Sequence, residues 1–111
     1  MLVTPRLTLR EARTEDASAL AAYQRDPRYL EHYTAARLDA REIVRLACTW
    51  ATESPRTNYQ LIVCKGEEGP VIGCAGLRQG GHTVGQAEVG IELSPLHWGS
   101  GYASEALSEL I

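Results

Sequence analysis

Near the end of the chain, "EVGIELSPLHWGSGYASEAL" (Glu88 to Leu107) sets a strand-like alternation, a Ser94-Pro95 break, two glycines and a helical pattern in succession. Gly99 and Gly101 lack a Cβ, so their loop can turn tightly and let several backbone N–H groups approach one ligand. Ala103, Ala106, Leu107 and Leu110 fall on one helical face, which puts the glycines at the N-terminus of a helix from Gly101 to Leu110. The first N–H groups of a helix have no partner within it and lie at the positive end of its dipole. Such a terminus is an anion site, most often for phosphate. The plain alternative is a glycine turn that only joins strand to helix.

Two familiar phosphate motifs do not fit these letters. A P-loop needs Lys and Ser/Thr after its last glycine, and the only lysine is Lys65, far upstream. A dinucleotide fingerprint needs three glycines and an acidic residue about 20 positions later. Ser104 stands where the third glycine belongs, and the sequence ends at Ile111.

The elements that must hold this loop follow from periodicity. "LTLREA" suggests a first strand from Leu2 to Glu11, with Pro5 near its start or on an edge. Thr14 is expected to cap a helix with Glu15 and Asp16 in its first turn and Ala17, Leu20 and Tyr23 on one face; Asp26-Pro27 ends it. A second helix opens on Asp39, three residues before Glu42 in a capping-box spacing. Ile43, Leu46, Ala47 and Trp50 form its apolar stripe, and Pro55 closes it. "NYQLIVCK" (Asn58 to Lys65) and "VIGCAGLR" (Val71 to Arg78) are apolar on both faces, as central strands are, and "GEEGP" is short enough to join them as an antiparallel hairpin. After the turn "GGHTVG", the strand from Gln86 to Leu93 sends Ala87, Val89, Ile91 and Leu93 to a core side. Glu88, Gly90 and Glu92 go to a polar, open side.

Composition bounds the rest. A chain of 111 residues, 44% hydrophobic, supports one core and therefore one domain, residues 1 to 111. Its net charge of −3, from 11 basic and 14 acidic residues spread along the chain, argues against a nucleic-acid surface. No run approaches the roughly 18 apolar residues that cross a bilayer, and the start lacks a signal peptide's apolar centre, so a cytoplasmic protein without a membrane partner is expected. Cys48, Cys64 and Cys74 form no CxxC pair and read as three buried thiols. His32, His82 and His97 lack metal-ligand spacing, so loop or packing roles and no metal are expected.

"TPRLTLREARTEDA", "VIGCAGL" and "EVGIELSPLHWGSGYASEAL", in that order, resemble the GNAT superfamily of N-acetyltransferases, particularly its branch of ribosomal-protein N-terminal acetyltransferases. The resemblance covers nearly the whole chain. The family's loop pattern is Gln or Arg, two residues, Gly, one residue, then Gly or Ala; here Trp98, Gly101 and Ala103 hold the defined positions, with Trp98 the departure. The resemblance implies an α+β fold with a mixed, mainly antiparallel sheet in the order β-α-α-β-β-β-α, and acetyl-CoA as cofactor. Its pyrophosphate would lie on the backbone of Gly99, Ser100, Gly101, Tyr102 and Ala103, with Ser104 offering a hydroxyl. Its pantetheine would pair with the backbone of Gly90, Ile91, Glu92 and Leu93 as an added strand.

The implied reaction carries an acetyl group from a thioester to a primary amine, on a protein N-terminus or a small molecule. A base must take the amine's proton, and Glu88 and Glu92 are candidates, Glu88 being further from the phosphate end. Cys64 and Cys74 are not expected as acyl carriers. In the family a strand, a helix and two more strands follow the glycine-loop helix, and they commonly carry the tyrosine that protonates the departing thiolate. Those strands have no counterpart in this sequence, which therefore reads as a domain lacking its C-terminal part. A homo-oligomer or a complementing chain would supply the other wall. The alternative is a non-catalytic half-domain acting as a coenzyme A-binding or oligomerisation module.

Overall fold

The computed structural model describes residues 1–33, 38–54, 56–67, 69–79 and 88–110. The first expected strand is two, β1 (Leu2–Val3) and β2 (Leu7–Glu11). Thr4 N–H donates to the Leu7 carbonyl at 2.9 Å, and Leu7 N–H donates to Thr4 Oγ1 at 2.9 Å. Pro5, with φ already fixed for a turn, folds the strand back on itself. Leu2 then pairs with Leu9 and Val3 with Thr8.

Helix α1 (Asp16–Gln24) has no side-chain cap, so Thr14 does not play the part expected of it. Asp16 is buried instead, where it accepts from both terminal nitrogens of Arg10 at 2.8 and 2.9 Å and from Arg13 N–H at 2.7 Å. This carboxylate ties α1 to β2. Asp26-Pro27 does not merely end a helix; it begins α2 (Pro27–His32), with Asp26 accepting from Arg28 N–H at 2.9 Å and Pro27 at the first helical position. Helix α3 (Ala40–Trp50) starts as expected, with Asp39 accepting from Glu42 N–H at 3.0 Å. Its expected stop at Pro55 lies outside the described residues.

Strands β3 (Asn58–Lys65) and β4 (Val71–Arg78) have the expected limits and pair antiparallel. β5 (Glu88–Leu93) follows, with the expected positions Gln86 and Ala87, the second turn and His82 outside the described residues. The sheet is antiparallel throughout, in the order β1-β2-β3-β4-β5, so β5 is an outer strand. A 3₁₀ turn (Pro95–His97) leads through the glycines to α4 (Tyr102–Leu110).

Helices cover both faces of this α+β sheet. On one, Leu7, Leu9, Leu61, Val63 and Ile72 pack with Tyr102 and Ala106 of α4; on the other, Ile62, Cys64 and Cys74 pack with Leu20, Tyr23, Tyr29 and Ile43 of the first three helices. Val63 pairs with Gly73 and Cys64 with Val71, so Ile72 is an extra residue that joins the α4 side. Two of the expected core assignments change. Val89, near the outer end of β5, is 38% exposed, and Cys48 is half-buried, leaving two buried thiols rather than three. Burial pushes the Cys74 thiol well above its ordinary range, with Glu92 nearby acting in the same sense, so it stays protonated and inert.

Candidate active site

The glycine loop is built by backbone conformation. Gly99 and Gly101 have φ of +82° and +81°, the left-handed region that side-chain-bearing residues rarely occupy. Within α4 the first helical hydrogen bond runs from Glu105 N–H to the Gly101 carbonyl at 3.1 Å. The N–H groups of Tyr102, Ala103 and Ser104 therefore precede the helix's own ladder. Ala103 and Ser104 line a cleft of about 360 Å³ with Gly99, Gly101, Trp98 and Leu93. Ser100 turns away from it, its carbonyl accepting from Arg6 Nη1 at 2.8 Å. Tyr102 also lines the cleft, and most of its side chain is buried in the core, where it anchors the helix.

Arg6 holds the loop from the β1–β2 turn. Besides Ser100, its Nε donates to Glu105 at 2.7 Å, its N–H donates to the same carboxylate at 2.9 Å, and its guanidinium lies 4.4 Å above the Tyr102 ring. Thr4 Oγ1 is also hydrogen-bonded to Glu105. Nothing in the sequence around Arg6 marks this role, because the contact spans 94 positions.

β5 forms the floor of the cleft, with its outer edge turned to it. Leu93 N–H donates to Tyr33 Oη at 3.4 Å, and the Leu93 carbonyl accepts from Trp98 Nε1 at 3.0 Å. Both groups therefore face away from β4, and by the two-residue pleat Ile91 N–H and C=O share that edge. The backbone from Gly90 to Leu93 was expected to be exposed for a ligand. At Leu93 it is held by two aromatic side chains, which pack with His32 at ring separations of 4.7 Å to Tyr33 and 5.0 Å to Trp98. Burial pushes the Tyr33 phenol up, so it keeps its proton. His97, in the 3₁₀ turn, is lowered by burial, then by Lys65, and is neutral.

On the helix-covered face a second cavity, of about 220 Å³, lies between β5 and α3. Glu88, Gly90 and Glu92 line it as a period-2 set; Glu88 and Gly90 are exposed as expected, but Glu92 is not. Glu92 is roofed by α1 and α2, accepting from Tyr23 Oη at 2.6 Å, Tyr29 Oη at 3.1 Å and Gln24 Nε2 at 3.3 Å. Glu88 is exposed at the far end of β5, opposite Arg78. Tyr33 and Ile91 line both cavities. The sequence gives one hint of Tyr33, since Tyr29 and Tyr33 stand four apart.

Comparisons with known proteins give the family and the fold. The profile of a family described as Acetyltransferase (GNAT) domain matches residues 6–111. The chain is 34% identical over 114 residues to an uncharacterized N-acetyltransferase p20 of Bacillus licheniformis, covering 99% of this chain and 63% of that protein. Among solved structures it is similar to a protein assigned as a ribosomal-protein-serine acetyltransferase from Vibrio cholerae, with TM-score 0.75 and 22% identity over 98% of this chain and 63% of that one. It is similar also to an acetyltransferase from Agrobacterium tumefaciens, with TM-score 0.69 and 28% identity over 95% and 60% of the two chains. A third is the microcin C7 self-immunity acetyltransferase MccE, in complex with acetyl-CoA and AMP, with TM-score 0.71 and 16% identity over 97% and 62%. The chain thus spans less than two thirds of the length of these relatives.

Proposed function

The chain belongs to the acetyltransferase (GNAT) domain family, and from that premise we propose that it moves an acetyl group from acetyl-CoA to a primary amine in the cytoplasm. The observation that carries this reading is that two cavities share Tyr33 and Ile91 in their linings, one reaching a glycine loop and helix start, the other two carboxylates. When bound, acetyl-CoA supplies a thioester whose carbonyl is open to attack by an amine. Its pyrophosphate fits the N–H groups at the start of α4, which the left-handed backbone of Gly99 and Gly101 leads into. Its pantetheine fits the outer edge of β5, provided Tyr33 and Trp98 release Leu93.

The chain's own residues then divide the work. Ile91 N–H, on the outer edge of β5, would donate to the carbonyl oxygen as negative charge grows there. Glu88 would take the proton of the amine, directly or through water, as its nitrogen bonds the acetyl carbon, and coenzyme A would leave as the thiolate and gain its proton from solvent. Glu92 is the weaker candidate. Three donors already occupy its oxygens, and it orients α1 and α2 against β5. In a form of the protein that turns over, Glu88→Gln is expected to lower kcat/KM by about 100-fold with coenzyme A affinity unchanged. If Glu92→Gln alone has that effect, the assignment of Glu88 is wrong.

The second reading is a coenzyme A-binding or oligomerisation module without turnover. Under either reading the C-terminal region, through the end of β5 at the exposed Val89 or through α4, is expected to meet a second copy or a complementing chain. Sedimentation equilibrium at micromolar concentration should give a dimer or larger; a stable monomer refutes this contact.

A further inference from the structure

Leu93 is gripped at both of its outward backbone groups, by side chains from two different elements. Trp98 Nε1 donates to the Leu93 carbonyl at 3.0 Å from the loop that follows β5, five residues on. Tyr33 comes from 60 positions away, at the C-terminal cap of α2, and its Oη accepts from Leu93 N–H at 3.4 Å. An N–H has one proton to give. While Tyr33 holds it, a ligand carbonyl cannot take the same donor, and strand addition uses the donors of a sheet edge as well as its acceptors.

Tyr33 is built so that its side chain can leave while its backbone stays. The helix behind it is fixed. Tyr29 is fully buried, and its Oη donates to Glu92 Oε1 at 3.1 Å and accepts from Gln24 Nε2 at 3.3 Å. Tyr33 N–H donates to the Tyr29 carbonyl at 2.9 Å, which ties the cap to that anchor. The Tyr33 ring itself is half-buried, 4.6 Å from the Tyr29 ring and 4.7 Å from that of the exposed His32. Rotation about its Cα–Cβ bond would carry the phenol off Leu93 without moving α2. The bond given up is a long one: 3.4 Å lies beyond the ordinary range of about 2.7–3.2 Å for N–H···O, so it costs less to break than most.

We propose, resting on the coenzyme A reading above, that Tyr33 is an autoinhibitory clasp: its phenol holds the Leu93 N–H that pantetheine would use, and the ligand must displace it to add to β5. The clasp therefore lowers affinity for ligands that reach the strand and leaves those held at the glycine loop alone. Apparent affinity is the intrinsic one reduced by the fraction of molecules in which the clasp is open.

Tyr33→Phe keeps the ring and removes the oxygen. Calorimetric titration with coenzyme A should show an affinity about three-fold above wild type, the effect of one hydrogen bond at the weak end of its usual range. Adenosine 3′-phosphate 5′-diphosphate, which carries the pyrophosphate of coenzyme A and no pantetheine, should gain nothing from the substitution. Amide exchange gives a second readout. Without ligand, Leu93 N–H should exchange faster in Tyr33→Phe than in wild type, and the difference should vanish at saturating coenzyme A. Unchanged or weaker coenzyme A binding by the variant, an equal gain for the nucleotide, or identical Leu93 exchange in the two proteins overturns the clasp and leaves the coenzyme A reading standing. Failure of both proteins to bind coenzyme A removes that reading, and the clasp with it.

Discussion

Gly101→Val is expected to abolish coenzyme A binding, lowering affinity by at least about 100-fold, or about 2.7 kcal/mol. The cause is conformational. At φ +81° an L side chain is strained, and a β-branched one most of all. The new Cβ would stand 3.4 Å from Arg6 Nη2, so the γ-methyl groups would press on the guanidinium stacked above Tyr102. From the missing Cβ alone, a side chain here would be expected to keep the ligand from the backbone N–H groups. The structure turns it toward Arg6, so binding is lost because the loop changes shape. Arg6→Ala removes the hydrogen bond to Ser100 without adding strain, and should weaken coenzyme A by only about ten-fold. Calorimetric titration of both variants checks the order; undiminished affinity in the valine variant would remove the glycine loop from the site.

Asp16→Ala should give the largest loss of stability, about 3 kcal/mol, read from the shift in urea midpoint. Asp16 is 5% exposed and its partner Arg10 17%, so truncation leaves a guanidinium largely dry and without its carboxylate. Burial acts to raise the Asp16 pKa, but the hydrogen bonds from Arg10 and Arg13 outweigh it and hold the carboxyl below its ordinary range. A carboxyl depressed in the folded state stabilises fully above its unfolded value, near 3.9, and that contribution is lost as pH falls through the folded value. Wild-type stability should therefore decline below about pH 4 from this residue, and Asp16→Asn should flatten that part of the profile. An unchanged acid limb in the asparagine variant would show that the pair carries little of the stability.

The parts legible in the sequence were those fixed by local pattern. Strands Asn58–Lys65 and Val71–Arg78 could be bounded because both are apolar on two faces and end in turn residues, and α3 because Asp39 and Glu42 cap it. The misreadings came from residues whose chemistry serves two purposes. Pro5 suits an edge strand and a turn; Asp26-Pro27 suits a helix end and a helix start. Alternation in β5 correctly placed Glu92 on the face opposite Leu93, but the tyrosines that cover it lie 69 and 63 positions away. No local signal records such a contact. Arg6, at 94 positions from Ser100, was hidden for the same reason, whereas the glycines of the loop it holds were visible because their need is local.

Amide hydrogen exchange, measured with and without saturating coenzyme A, tests the central claim most directly. The N–H groups of Ile91 and Leu93, at the outer edge of β5, and those of residues 99–104 should exchange more slowly with ligand, while β2 and β3 remain unchanged. Unaltered exchange at both places, or protection confined to other elements, would contradict the assignment of this cleft to acetyl-CoA.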